Sequence, residues 1–156
     1  MTRAETLLPR ARAAGAMIVT AESCTAGLLA GAITDVAGSS DIFDRGFITY
    51  SNAAKRDMLG VAEATLRDHG AVSEEVACEM AEGALARSAG TLAISVTGIA
   101  GPGPSEHKPE GRVCFAIARA HQPTHSVTME FGALGRGHVR RVSVDFALDL
   151  LLAALS

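Results

Sequence analysis

Apolar residues along the chain come either in short continuous runs or at helical spacing. The runs at residues 16–20, 46–50, 92–96, 113–118 and 126–131 predict five strands. Residues 2–14 predict a helix, with Leu7, Leu8, Ala11 and Ala14 on one face and Gly15 ending it. Pro9 predicts that this helix starts or kinks near it. Residues 25–36 predict a second helix. Ser51-Asn52 cap a short one that ends at Gly60, and another at 62–69 ends at Gly70. Ser73 caps the clearest helix, with Val76, Ala77, Met80, Ala81, Ala84 and Leu85 inside and Glu74, Glu75, Glu79 and Glu82 outside. Residues 138–155 close the chain as a helix. Helices alternating with strands predict an α/β fold, with helices on both faces of one sheet. The last two strands, joined by a polar turn around Pro123, make that sheet mixed.

Composition narrows the class. At 156 residues, 48% of them hydrophobic, the chain is long enough for one domain with a sizeable core. Aromatics are 4% and tryptophan is absent, so aliphatic side chains and alanine must fill that core. A net charge of −3 argues against nucleic-acid binding through a broad basic face. The cysteines, Cys24, Cys78 and Cys114, are odd in number and lack metal-ligand spacing, which points to a reducing, cytoplasmic setting. No segment approaches the ~20 apolar residues of a membrane span.

Candidate chemistry gathers at Thr20-Ala21-Glu22-Ser23-Cys24-Thr25-Ala26-Gly27, where a strand turns into a helix. Backbone N–H groups at a helix start lack partners and favour negative charge. A serine there can attack a carbonyl while those N–H groups stabilise the oxyanion. The plainer reading is that Thr20, Ser23, Cys24 and Thr25 cap the helix. A serine nucleophile needs a base. The five histidines fall in loops or at helix ends, with no carboxylate partner in sequence. Lys55, one of two lysines, stands on the first turns of a short helix, where the dipole disfavours its charge, although by itself it reads as a solvated surface residue. Cys24 is a rival nucleophile if the helix start lowers its pKa, and otherwise a buried packing residue. The glycine-rich stretch from Gly98 to Gly103 allows close backbone approach, yet no Gly-Lys-Ser/Thr follows, so it is not a P-loop. Arg136, Arg140 and Arg141, at the entry to the last helix, can hold a phosphate or merely solvate that helix.

Six stretches in order resemble the CinA C-terminal domain family, whose members include nicotinamide-nucleotide amidohydrolases. They are the turn Thr20 to Thr25; Ala37-Gly38-Ser39-Ser40; Arg45-Gly46-Phe47-Ile48-Thr49-Tyr50-Ser51-Asn52-Ala53-Ala54-Lys55; His69-Gly70-Ala71-Val72-Ser73; Thr97-Gly98-Ile99-Ala100-Gly101-Pro102; and Lys108-Pro109-Glu110-Gly111. The resemblance implies a three-layer α/β/α sandwich over residues 1–156. It implies hydrolysis of the carboxamide of nicotinamide mononucleotide to nicotinic acid mononucleotide and ammonia, in pyridine-nucleotide salvage. Ser23 would be the nucleophile, Lys55 its base and Tyr50 a hydrogen-bonding assistant. Cys24, Thr25, Gly27, Ser39, Thr97, Gly98 and Gly101 would surround the substrate. Arg136, or Arg140 as fallback, would hold the phosphate. No metal and no cofactor is called for. The chain departs from the family pattern at Ala26, where a second glycine is usual, in a shorter loop at Gly103, and in a loop before Arg136 that lacks an Asp. Those departures support a second reading, a binding domain of the competence- and damage-associated type with the chemistry lost. A Cys24-based amidase is a third. A domain standing alone fits the amidohydrolase better, and the apolar helix from Phe146 to Leu155 suggests a homodimer.

Overall fold

The computed structural model describes residues 1–156. Five strands, β1 (Ile18–Glu22), β2 (Phe43–Ile48), β3 (Leu92–Gly98), β4 (Arg112–Arg119) and β5 (His125–Glu130), form one sheet in the order β2-β1-β3-β4-β5. β1 runs parallel to β2 and β3, while β4 is antiparallel to β3 and β5, so the sheet is mixed. The helices are α1 (Arg3–Ala14), α2 (Leu28–Thr34), α3 (Asn52–Leu59), α4 (Glu63–His69), α5 (Glu74–Ala86) and α6 (Arg136–Ala154). α1, α2 and α6 cover one face of the sheet, and α3, α4 and α5 the other.

The two faces are packed differently. Towards α6 the sheet presents Ile18, Ile94, Val96, Val113 and Phe115, and Phe115 lies 4.8 Å from Phe146 between ring centroids. Towards α5 it presents Ala21, Ala93, Cys114, Ala116 and Ala118 against Ala77, Ala81 and Ala84. Small residues on both sides let helix and sheet approach closely, which is how a chain poor in aromatics fills its core. β1 and β3 are buried along both faces, so they read in sequence as continuous apolar runs.

Several boundaries differ from expectation. α1 is one helix through Pro9, because its start is fixed upstream by a capping box between Thr2 and Glu5. β1 is displaced by two residues and ends on Glu22, a carboxylate that the sequence gives no reason to place inside a sheet. α2 is shorter than expected because Ala26 and Gly27 adopt positive φ (46° and 95°) and hold residues 24–27 in a turn. β2 starts three residues early, and β3 continues through Thr97 and Gly98, which pair with Cys114 and Val113. In α6, Ala147, Leu148 and Leu151 are buried, while Phe146, Leu150, Leu152 and Leu155 pack against the same core. No helix is long and apolar enough to cross a membrane.

Candidate active site

β1, β2 and β3 are mutually parallel, and their carboxyl ends open onto one edge of the sheet, the usual place for a ligand in such folds. Ser23 follows β1 directly, and its N–H donates to Val96 O at 2.9 Å. The turn beyond it is organised by Glu22, which is 1% exposed. Glu22 Oε1 accepts from Thr25 Oγ1 (2.7 Å), Gly27 N (3.2 Å) and Leu29 N (2.9 Å), and Oε2 accepts from Ala30 N at 3.0 Å. Leu28 N donates to Thr25 O. The N–H groups that the sequence reading assigned to an oxyanion are therefore already paired with a carboxylate of the chain itself. A buried carboxylate is tolerable only with such donors, and a helix start supplies them. Among the backbone N–H groups that make no hydrogen bond within the chain are those of Cys24 and Thr25 in the turn and of Ala100 and Gly101 in the loop after β3, and Cys24, Ala100 and Gly101 border the same cavity as Ser23.

Lys55 is not solvated. Carried on α3, it is among the largest fully buried side chains, at 1% exposure. Its Nζ lies 2.9 Å from Ser23 Oγ, 3.0 Å from Thr49 O and 3.1 Å from Tyr50 O. Burial pushes its pKa down from 10.5 to about 8. The cause is desolvation, not the helix end: the start of α3 is capped by Ser51, whose hydroxyl accepts from Ala54 N. A negative charge on Cys24 or Glu106 would oppose the shift. Cys24 brings none at neutral pH, because burial holds its thiol up at about 11. The same value removes the low-pKa thiolate that a Cys24 nucleophile requires. In its neutral form Lys55 has two N–H bonds, which match the two carbonyls, and a lone pair that matches the Ser23 hydroxyl.

Ser23 and Lys55 border a cavity of about 420 Å³, within the range of small-molecule sites. Cys24, Tyr50, Asn52, Thr97, Gly98, Ala100, Gly101, Glu106 and Arg136 also line it. Two of its glycines are dictated by the chain's own side chains. A Cβ on Gly98 would come within 2.7 Å of Val113, and one on Gly101 within 2.5 Å of Glu110. Arg136 is the first residue of α6. Its Nη1 donates to Gly101 O and its Nη2 to the Tyr50 hydroxyl, both at 2.6 Å. Arg140 points elsewhere: its Nε donates to Cys24 O at 3.0 Å and braces the turn behind Ser23. No three His, Cys, Asp or Glu side chains converge at metal-ligating distance.

The CinA C-terminal domain family matches residues 1–155 of this sequence. The chain belongs to the CinA C-terminal domain family. It is 52% identical over 142 residues to the nicotinamide-nucleotide amidohydrolase PncC of Escherichia coli (strain K12), covering 90% of this chain and 85% of that protein. It is 59% identical over 105 residues to a CinA-like protein of Chlorobium phaeobacteroides (strain BS1), of which it spans only 25%. The crystal structure of the competence/damage inducible protein CihA from Agrobacterium tumefaciens superposes with a TM-score of 0.93 at 48% identity, over 97% of this chain and 92% of that one.

Of the residues singled out in sequence, this CinA-family fold brings Ser23, Cys24, Tyr50, Lys55, Thr97, Gly98, Gly101 and Arg136 to one cavity. Thr97 lends its hydroxyl to Ala71 O at 2.8 Å. Thr25, Gly27, Ser39 and Arg140 do not line the cavity. Thr25 and Gly27 serve Glu22, and Ser39 lies in the 3-10 turn before β2, at the opposite end of the sheet. Thr20 faces Gly46 from within β1 and takes no part in the turn. Ala26 neither narrows nor lines the site; its departure from the family glycine is felt as left-handed backbone. Sequence reasoning gave no role to Glu22 or Glu110, although both lie inside recognised motifs, and it passed over Glu106.

Proposed function

We propose that this CinA-family chain is a nicotinamide-nucleotide amidohydrolase that uses a Ser23–Lys55 pair. The contact that carries the mechanism is the 2.9 Å approach of a buried, charge-disfavoured Lys55 to Ser23 Oγ at the cavity wall. Neutral Lys55 takes the Ser23 proton as Oγ bonds to the carboxamide carbon. The N–H groups of Cys24, Ala100 and Gly101 are the donors offered to the oxyanion. Protonated Lys55 then gives its proton to the departing amine, so ammonia leaves and an ester remains on Ser23. Water attacks that ester as Lys55 accepts a proton from it; Lys55 passes that proton to Ser23 Oγ as the acyl C–O bond breaks, which releases the carboxylate product and restores the serine hydroxyl and the neutral amine. Arg136 stands at the start of α6, which has no side-chain cap, and that pairing suits the phosphate of the nucleotide. The Tyr50 hydroxyl steadies Arg136 at the cavity mouth.

The test is ammonia release from nicotinamide mononucleotide by the purified protein. Release should survive a chelator. Ser23→Ala and Lys55→Met should each lower it by about 10⁴-fold while remaining folded, and Cys24→Ala should stay within about tenfold of wild type. Near-normal turnover by either of the first two removes the Ser–Lys mechanism. A wild-type protein stabilised by the nucleotide without releasing ammonia would instead indicate a binding domain.

A further inference from the structure

Two segments without regular structure meet beside the cavity: residues 99–104 after β3, which line it, and residues 131–135, which lead into Arg136. Glu110 lies between them. Its Oε1 accepts from Gly103 N at 2.7 Å and its Oε2 from Gly135 N at 2.8 Å. The stem of the same side chain packs against Gly101, leaving no room there for a Cβ. The next residue continues the join: Gly111 N donates to Ile99 O, and Gly111 O accepts from Phe131 N, each at 2.8 Å. Gly135 immediately precedes Arg136, and the Arg136 guanidinium donates to Gly101 O. One carboxylate thus fixes the backbone from which Arg136 springs and the loop whose carbonyl receives it. The two N–H donors hold the Glu110 carboxyl below its ordinary pKa, so near neutral pH both oxygens are acceptors.

We propose that Glu110 is a positioning residue, a carboxylate clip that joins the loop after β3 to the start of α6 and so presets Arg136 for the anionic end of the substrate. The substrate half of this inference rests on the reading of Arg136 as the phosphate-binding residue. The side chain needed is specific. Glutamine keeps one acceptor oxygen and loses the other, and alanine loses both. The clip is partly exposed and belongs to neither core cluster, so removing it should disturb the mouth more than the fold.

The experiment is a double-mutant cycle between Glu110 and Arg136. Glu110→Ala should raise KM for nicotinamide mononucleotide about tenfold with kcat within about twofold of wild type, and Glu110→Gln should fall between. In an Arg136→Ala background the Glu110 change should add less than about twofold. With nicotinamide riboside, which lacks the phosphate, the Glu110→Ala effect on KM should disappear. Full additivity with Arg136→Ala, or an unchanged KM, overturns the proposal. A second readout does not depend on turnover. Tyr50 is the only tyrosine and there is no tryptophan, so the near-UV tyrosine signal reports the Arg136–Tyr50 contact. Glu110→Ala should change that signal as Arg136→Ala does, with the far-UV spectrum intact. An unchanged tyrosine signal overturns the clip even if the wild-type protein releases no ammonia, an outcome that would separately remove the amidohydrolase reading.

Discussion

The starts of α2 and α6 both lie at the edge of the sheet that carries the Ser23–Lys55 cavity, and they are opposite in character. At α2 the donors of Gly27, Leu29 and Ala30 all point at the buried Glu22 carboxylate. At α6 no side chain caps the helix, and the N–H groups of Arg136, Gly137 and His138 have no partner within the chain. Both ends carry the same partial positive charge of a helix N-terminus. Only the second can offer it to a ligand, because the first has been neutralised from within. A helix start beside a nucleophile is therefore not in itself an oxyanion site. What matters is whether the fold has already supplied the anion.

The most disruptive way to break the contrast is Glu22→Ala. It strips four donors at the start of α2 of their acceptor in a buried setting, and should cost about 3 kcal/mol. Urea unfolding measures it, and a loss below about 1 kcal/mol would mean that α2 is not held by this carboxylate.

A third helix start, that of α3, sharpens the comparison through pH. Lys55 sits there, but burial sets its pKa at about 8. If its neutral form is the base, kcat/KM should rise about tenfold per pH unit up to that value and then level off, with roughly a tenth of the plateau remaining at pH 7. Stability follows with a definite sign. The unfolded chain, with its lysine near 10.5, binds more protons between pH 8 and 10.5 than the folded one. The cost of burying the charged amine is thus fully present below about pH 8 and is relieved as pH rises towards 10.5. Wild type should gain stability relative to Lys55→Met across that window, and a flat difference would contradict the shift.

The smallest effect concerns the backbone between Ser23 and α2. Ala26 has a φ of 46°, in the left-handed region that a side chain disfavours. Ala26→Gly should stabilise the protein by up to about 1 kcal/mol, the relief of strain being partly offset by the greater freedom of glycine in the unfolded chain. If thermal unfolding shows it to be destabilising, the turn is not strained at that position.

Much of the fold was legible because its signals are local. Gly15 and Gly60 end their helices in left-handed conformation, and Ser51 and Ser73 cap the helices that follow them. These are contacts between residues three or four apart, and the sequence states them directly. The site was legible in part for a different reason: Ser23, Tyr50, Lys55, Thr97 and Gly98 all lie in motifs whose order matched a family, whereas Arg136 follows a loop that departs from the family pattern.

The sequence by itself determined the elements, their caps, the mixed α/β class and the family. The tertiary structure alone decided which of those residues act on one another. From its own position Lys55 read as a surface lysine, and only the family resemblance paired it with Ser23, 32 residues away; the burial and the 2.9 Å contact came with the fold. Arg136 and Arg140, one turn apart on α6, parted company when one reached Gly101 O and the other Cys24 O. Glu22 and Glu110 became ligands of backbone N–H groups only once their loops were assembled around them. The reason is physical: a cap is written in neighbouring residues, whereas desolvation and the pairing of a charge depend on everything that folds around it.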